Sequence, residues 1–158
     1  MLRPDQFADR LCLVSLDSLA AQGIRGIIVD LDNTLVGYGR HDIAADDAAW
    51  IAEAKRRGFA VALVSNNFTA RVGRVSAELN VLAVPNALKP LPFGFLRALR
   101  LLGTRKSETI VVGDQLFTDV VGARLAGLRV ILTRPIEPHD WAGTRILRFF
   151  ERLVLGSR

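Results

Sequence analysis

Four acidic residues stand where a chain could do chemistry. Asp30 and Asp32 are separated by one residue and follow the apolar run Gly26-Ile27-Ile28-Val29. Asp114 follows a second such run, Thr109-Ile110-Val111-Val112-Gly113, and Asp119 comes shortly after. Ser65 ends a third run, and Lys89 precedes Pro90. If the fold gathers these carboxylates at one rim, each pair at about 4 Å repels by ~4 kcal/mol at an effective dielectric near 20. A protein retains such a cluster only where a proton or a divalent cation neutralises it. Oxygen-only ligands favour magnesium over zinc or copper, so Mg2+ is the expected cofactor.

A phosphate can bridge to such a cation. Asp30 could then attack phosphorus as a carboxylate nucleophile and form an aspartyl-phosphate. Asp32, one turn further on, could protonate the leaving oxygen and later accept a proton from water. Ser65 offers a hydroxyl to a phosphate oxygen, and the Asn66 backbone N–H offers another donor. Lys89 supplies fixed positive charge for the equatorial oxygens and for Asp30. Asn33 and Thr34 are also candidates beside the phosphate, although both residue types can simply shape a turn.

These residues cooperate only if secondary structure delivers them to one edge. Strands are predicted at 26–30, 59–64, 81–84, 109–112 and 129–132 from β-branched or apolar runs. Helices are predicted from a cap at Asp46 or Asp47 to Arg57, from a cap at Thr69 to Leu79, after Pro90 and Pro92 to Leu102, over 118–126, and over 140–155. Trp50, Ile51 and Ala54 share a helical spacing that marks core. Continuous apolar strands alternating with helices predict an α/β fold, a three-layer doubly wound parallel sheet in one domain over 1–158. Ligands in such sheets bind beyond the carboxyl ends of the strands, where Asp30, Ser65 and Asp114 all fall.

Composition bounds the remaining choices. The chain has 158 residues, half of them apolar, enough to cover both faces of a sheet. A single cysteine, Cys12, excludes an intramolecular disulfide and a thiolate zinc site. No run is long enough to span a bilayer and no leader pattern opens the chain, so a cytoplasmic protein is expected. The net charge of +5 favours an anionic partner, without pointing to specific nucleic-acid binding.

The motifs resemble a known family. Asp30-Leu31-Asp32-Asn33-Thr34-Leu35 is similar to the first motif of the haloacid dehalogenase-like phosphatases. Ser65 resembles the second, Lys89-Pro90 the third, and Gly113-Asp114-Gln115-Leu116-Phe117-Thr118-Asp119 the fourth, in the family's order. With Leu2-Arg3-Pro4-Asp5 and Ser65-Asn66-Asn67, the pattern further resembles the subclass IIIA group termed YqeG-like, itself similar to the phosphatidylglycerophosphate phosphatases of mitochondria and plastids. The resemblance implies a Rossmann-like fold and a phosphorylated, lipid-linked substrate. It also implies that Asp30 and Asp114 bind magnesium by side chain and Asp32 by its backbone carbonyl. Asp119, with Gly113 nearby, would steady Lys89 or the metal shell.

Many members of that family insert a cap domain after the first motif or between the second and third. Residues 36–59, 24 in all, and 67–88, 22 in all, leave no room for one. An open site suits a large or surface-held substrate, or closure by a homo-oligomer around a soluble sugar phosphate or nucleotide. A phospho-aspartate switch or binding module is the reading from another class, and Asp32 argues against it by hastening hydrolysis. Trp141, Ile146, Leu147, Phe149 and Phe150, interleaved with Arg145, Arg148 and Arg152, make the segment 140–155 a candidate for peripheral contact at the inner face of a membrane. Packing on the sheet is the competing expectation for that segment. Tyr38, Arg40 and His41 lie on the loop nearest the site, and His139 is expected at the surface.

Overall fold

The computed structural model describes residues 2–37 and 42–137. Tyr38, Arg40, His41, His139 and the predicted helix 140–155 lie outside the described residues.

Six parallel strands form one sheet in the order β1-β6-β5-β2-β3-β4. They are β1 Gln6–Ala8, β2 Gly26–Asp30, β3 Ala60–Val64, β4 Leu82–Val84, β5 Thr109–Gly113 and β6 Arg129–Thr133. The α-helices are α1 Leu16–Ala21, α2 Ala45–Arg56, α3 Thr69–Leu79, α4 Phe93–Leu102 and α5 Val121–Ala126. Successive strand residues point to opposite faces, and β2 shows the result. Ile27 and Val29 join Leu19, Trp50, Ile51, Ala54, Val72 and Val75 in one core layer. Ile28 joins Val111, Phe95, Ala98, Ala123 and Ala126 in the other. Both faces are covered, which is why the strands read as unbroken apolar runs. Gly103 and Gly127 close α4 and α5 with φ of 67° and 77°, the left-handed geometry that glycine takes without a Cβ penalty.

The five predicted strands and the four predicted helices that fall within the described residues are present, the last of them as a π-turn running into α5. The edge strand β1 was not anticipated, because three residues with Phe7 exposed carry no apolar run. Asp5 fixes it: its N–H donates to the Val130 carbonyl at 2.9 Å, and its carboxylate accepts from the Val130 N–H at 2.7 Å. Two predicted caps are corrected. Helix α2 starts at Ala45 behind Ala44, and buried Asp47 instead accepts from the Cys12 N–H and the Arg10 guanidinium, both at 3.1 Å. Helix α3 includes Thr69 and has Phe68 at its cap position, with no side-chain cap bond.

The connections decide where a site can form. From β2 the chain steps to β3 and β4 on one side; β5 then returns to the other side of β2. The boundary between β2 and β5 is therefore the point where strand order reverses, and a crevice opens there at the carboxyl ends. Among the described residues α2 alone connects β2 to β3, and α3 and β4 alone separate β3 from Lys89, so no cap domain is inserted at either place. No described helix is long and apolar enough to cross a membrane.

Candidate active site

Asp30 is the last residue of β2, and Asp114 follows the last residue of β5 on the neighbouring strand. Strand pairing alone brings them together. The Thr34 hydroxyl lies between their carboxylates, 3.3 Å from Asp30 Oδ2 and 3.4 Å from Asp114 Oδ1.

Asp119 arrives differently. Residues Leu116–Val120 form a widened π-turn ahead of α5, where a plain helix start was expected. Such turns re-aim side chains and recur at functional sites. Here the turn points Asp119 back under the crevice, fully buried, with its Oδ2 accepting from the Gln115 N–H at 3.1 Å. Gly113 makes the approach feasible: a Cβ at that position would stand 2.5 Å from the Asp119 carboxylate.

Lys89 completes this half of the site. Its ammonium is buried, donates to Asp30 Oδ1, and lies 2.7 Å from Asp119 Oδ1. Asn66 holds the backbone of Lys89 from both sides. Asn66 Oδ1 accepts from the Lys89 N–H at 2.8 Å, and Asn66 Nδ2 donates to its carbonyl at 3.1 Å. The preceding Leu88 has φ 57°, a left-handed conformation that a leucine keeps only where its surroundings enforce it.

Asp32 occupies a second compartment. Its Oδ2 accepts from Ser65 Oγ at 3.1 Å and from Asn67 Nδ2 at 2.6 Å, and its Oδ1 lies 3.0 Å from the Arg71 guanidinium. Ser65 Oγ also accepts from the Asn67 N–H at 3.0 Å, so the hydroxyl joins the β3 loop to Asp32. Asn33, a candidate beside the phosphate, has a side-chain role that the structure does show. At φ 65° its amide exchanges two 2.9 Å bonds with the backbone of Glu137, committing it to pinning the chain after β6.

The electrostatics distinguish the two compartments. Oxygens of Asp30, Asp114 and Asp119 all lie within 4.8 Å of one another, and all three residues are buried. One lysine cannot neutralise three carboxylates. Burial first, then the Asp119 charge, pushes the Asp30 carboxyl up to about 7, against the pull of Lys89. Burial also acts against the Lys89 charge, but Asp119 and Asp30 outweigh it and hold the ammonium above its usual range. The excess negative charge, the oxygen-only donors and the close spacing fit a divalent cation. Asp30 and Asp114, the two residues expected to offer side chains, both lie in the cluster, and Asp119 stands beside them, paired with Lys89. Asp32 turns its carboxylate away, which leaves its backbone carbonyl as its route to a cation.

Sequence reading missed Asn67 and Arg71, and read Asn66 only for its N–H. A signal for Arg71 existed, because the first turn of any helix that follows a strand lies at the carboxyl rim.

With this geometry in view, the likenesses to known proteins are informative. The haloacid dehalogenase-like hydrolase family matches residues 39–127. The probable phosphatase YqeG of Bacillus subtilis (strain 168) is 36% identical over 154 residues, spanning 98% of this chain and 90% of that protein. A phosphoserine phosphatase of Thermus thermophilus is 35% identical over 111 residues, 64% of this chain and 45% of that protein. The cobalt-bound deoxy-D-mannose-octulosonate 8-phosphate phosphatase of Haemophilus influenzae shares the fold, with a TM-score of 0.56, 15% identity, and coverage of 85% of this chain and 88% of that one. Fold, acidic cluster and relatives together define a phosphatase, a hydrolase of phosphoric monoesters. The chain belongs to the haloacid dehalogenase-like hydrolase family.

Proposed function

We propose that this protein hydrolyses phosphomonoesters through an aspartyl-phosphate on Asp30, with Mg2+ as its cation and phosphatidylglycerophosphate as its substrate. The observation that carries the chemistry is the pairing of Asp30 with Lys89 inside the Asp30, Asp114 and Asp119 cluster at the strand-order reversal. Asp30 and Asp114, with the Asp32 carbonyl, would hold the cation, which when bound offsets negative charge on the transferring phosphate. Asp30 Oδ attacks phosphorus as the ester oxygen leaves. Asp32 gives that oxygen a proton, then takes one from the water that cleaves the acyl phosphate. Ser65 and Asn67 orient Asp32, while Asn66 positions Lys89 beside Asp30. Asp119 keeps the lysine charged and aimed.

The lipid substrate is supported by the YqeG-like motifs and by the uncapped entrance, which leaves room for a headgroup that stays attached to its diacylglycerol. A small soluble ester is the second reading, favoured by the likeness to a phosphoserine phosphatase. Phosphate release from phosphatidylglycerophosphate, phosphoserine, sugar phosphates and nucleotides, with magnesium, separates the two. Preference for the lipid by at least about tenfold in kcat/KM, a transition-state difference of ~1.4 kcal/mol, is expected. Preference for any soluble ester would overturn the lipid assignment and leave the mechanism standing.

A further inference from the structure

The entrance to the acidic crevice has an apolar rim. Phe68, just past Ser65, is 80% exposed; Leu88 and Leu91, flanking Lys89, are 63% and 48% exposed; Phe93, opening α4, is 66% exposed. Backbone bonds join the loops that lead into these residues. The Asn86 N–H donates to the Asn67 carbonyl at 3.0 Å, the Ala87 N–H to the Ser65 carbonyl at 2.9 Å, and the Leu91 N–H to the Leu88 carbonyl at 2.9 Å. Phe95, two residues past Phe93, is buried in the core, so the helix divides its aromatic residues between core and rim. Clustered exposed apolar side chains mark an interaction surface, whereas scattered ones do not.

The charge around the rim identifies what it meets. Residues 66–77 and 85–104 contain no aspartate or glutamate, yet carry Arg71, Arg74, Lys89, Arg97 and Arg100. Arg74 and Arg97 are exposed. Arg97 stands one helical turn behind Phe93, on the same face. Long arginine stems can lie along apolar surface while their heads reach phosphate. Exposed Glu78 lies one helical turn beyond Arg74, and the carboxylates of the crevice itself are buried or engaged with Ser65, Asn67, Arg71 and Lys89.

We infer that this rim docks on an anionic lipid bilayer. Phe68, Leu88, Leu91 and Phe93 enter the headgroup–acyl boundary, and Arg74 and Arg97 meet lipid phosphates. An apolar edge backed by arginine, with acid-free segments at 66–77 and 85–104, complements such a surface, and docking sets the crevice mouth level with the headgroups. The inference rests on the proposed lipid reading only in making a headgroup phosphate the group delivered to Asp30. Binding itself requires no turnover.

The test is flotation of the full chain with phosphatidylglycerol–phosphatidylcholine vesicles and with phosphatidylcholine vesicles, at low and high salt. Hydrolysis of p-nitrophenyl phosphate is followed in parallel. The protein is expected to float with the anionic vesicles and to lose that binding at high salt. Phe68→Ser with Phe93→Ser should bind about tenfold less, and Arg74→Glu with Arg97→Glu should lose the preference for anionic lipid. The melting temperature should stay at that of the unaltered protein and p-nitrophenyl phosphate hydrolysis within about twofold in both variants, since neither pair touches the reacting groups. Flotation unchanged by either pair, or none by the unaltered protein, would overturn the inference. So would a sizing shift from dimer to monomer in the rim variants, which would assign the surface to a second copy. If binding follows the rim while no phosphate ester is hydrolysed, the inference stands and the proposed function fails. If lipid hydrolysis proceeds without rim-dependent binding, the reverse holds.

Discussion

Asp30 and Asp32 are two residues apart, yet they live in different surroundings. Asp30 is buried against a lysine and two further carboxylates, and its carboxyl is pushed up to about 7. Asp32 is more exposed and meets a serine, an asparagine and an arginine, all of them donors. The cause is the end of β2. Asp30 still belongs to the strand and faces β5, whereas Asp32 lies beyond it, on the turn facing the β3 loop. A short motif thus sets one carboxylate among like charges and another among donors, the separation that the proposed roles of nucleophile and acid–base group require.

The contrast can be broken most severely at Asp30. Asp30→Asn should abolish turnover for every ester, good or poor leaving group alike, because the proposed mechanism has no other group to form the bond to phosphorus. Magnesium-dependent turnover by a pure Asp30→Asn sample would refute the mechanism. Asp32→Asn should cost ~10²–10⁴-fold with an alkyl phosphate, the usual range for acid–base catalysis. With p-nitrophenyl phosphate the defect should shrink, since that leaving group departs without a proton. An equal loss for both esters would remove Asp32 from the acid role.

Lys89→Ala tests the Asp30 compartment alone. A kcat lower by ~10²–10³-fold is expected, comparable to removing a donor to a developing oxyanion. Weaker phosphate inhibition should accompany it, while the ratio of alkyl to p-nitrophenyl rates stays near that of the parent. A changed ratio would mean that the two compartments are coupled. Arg71→Ala tests the other side and should have the smallest effect, about tenfold, the range of one charge pair worth ~1.4 kcal/mol. It should alter the leaving-group dependence and the pH profile rather than phosphate inhibition. Loss of phosphate inhibition instead would reassign Arg71 to the substrate.

The legible part of the site was the part carried by strands. Asp30 and Asp114 follow apolar runs that could only be buried strands, so their meeting at one rim followed from the fold class. Asp119 was read as a supporting residue, but the π-turn that buries it has no local signature beyond Gly113, whose need appears only when the carboxylate lies 2.5 Å from the missing Cβ. Asn33 looked like a phosphate contact because it sits inside the motif. Its amide bonds Glu137, more than a hundred residues away, which no local pattern could reveal. The edge strand β1 was hidden for the same reason: its stability comes from Asp5 and Val130 rather than from an apolar repeat.

By itself the sequence determined the α/β class, the strand ends and the residue types able to handle a phosphate. Burial on both faces imposes continuous apolar runs, and oxygen-rich chemistry imposes aspartates at their ends. Tertiary structure alone decided which carboxylates share a cation site, which one faces donors and how Lys89 is aimed. Those outcomes depend on loops meeting across the sheet: Asn66 on Lys89, Arg71 on Asp32, Asn33 on Glu137. Each joins segments far apart in the chain, and their distances are fixed only once the strands have paired.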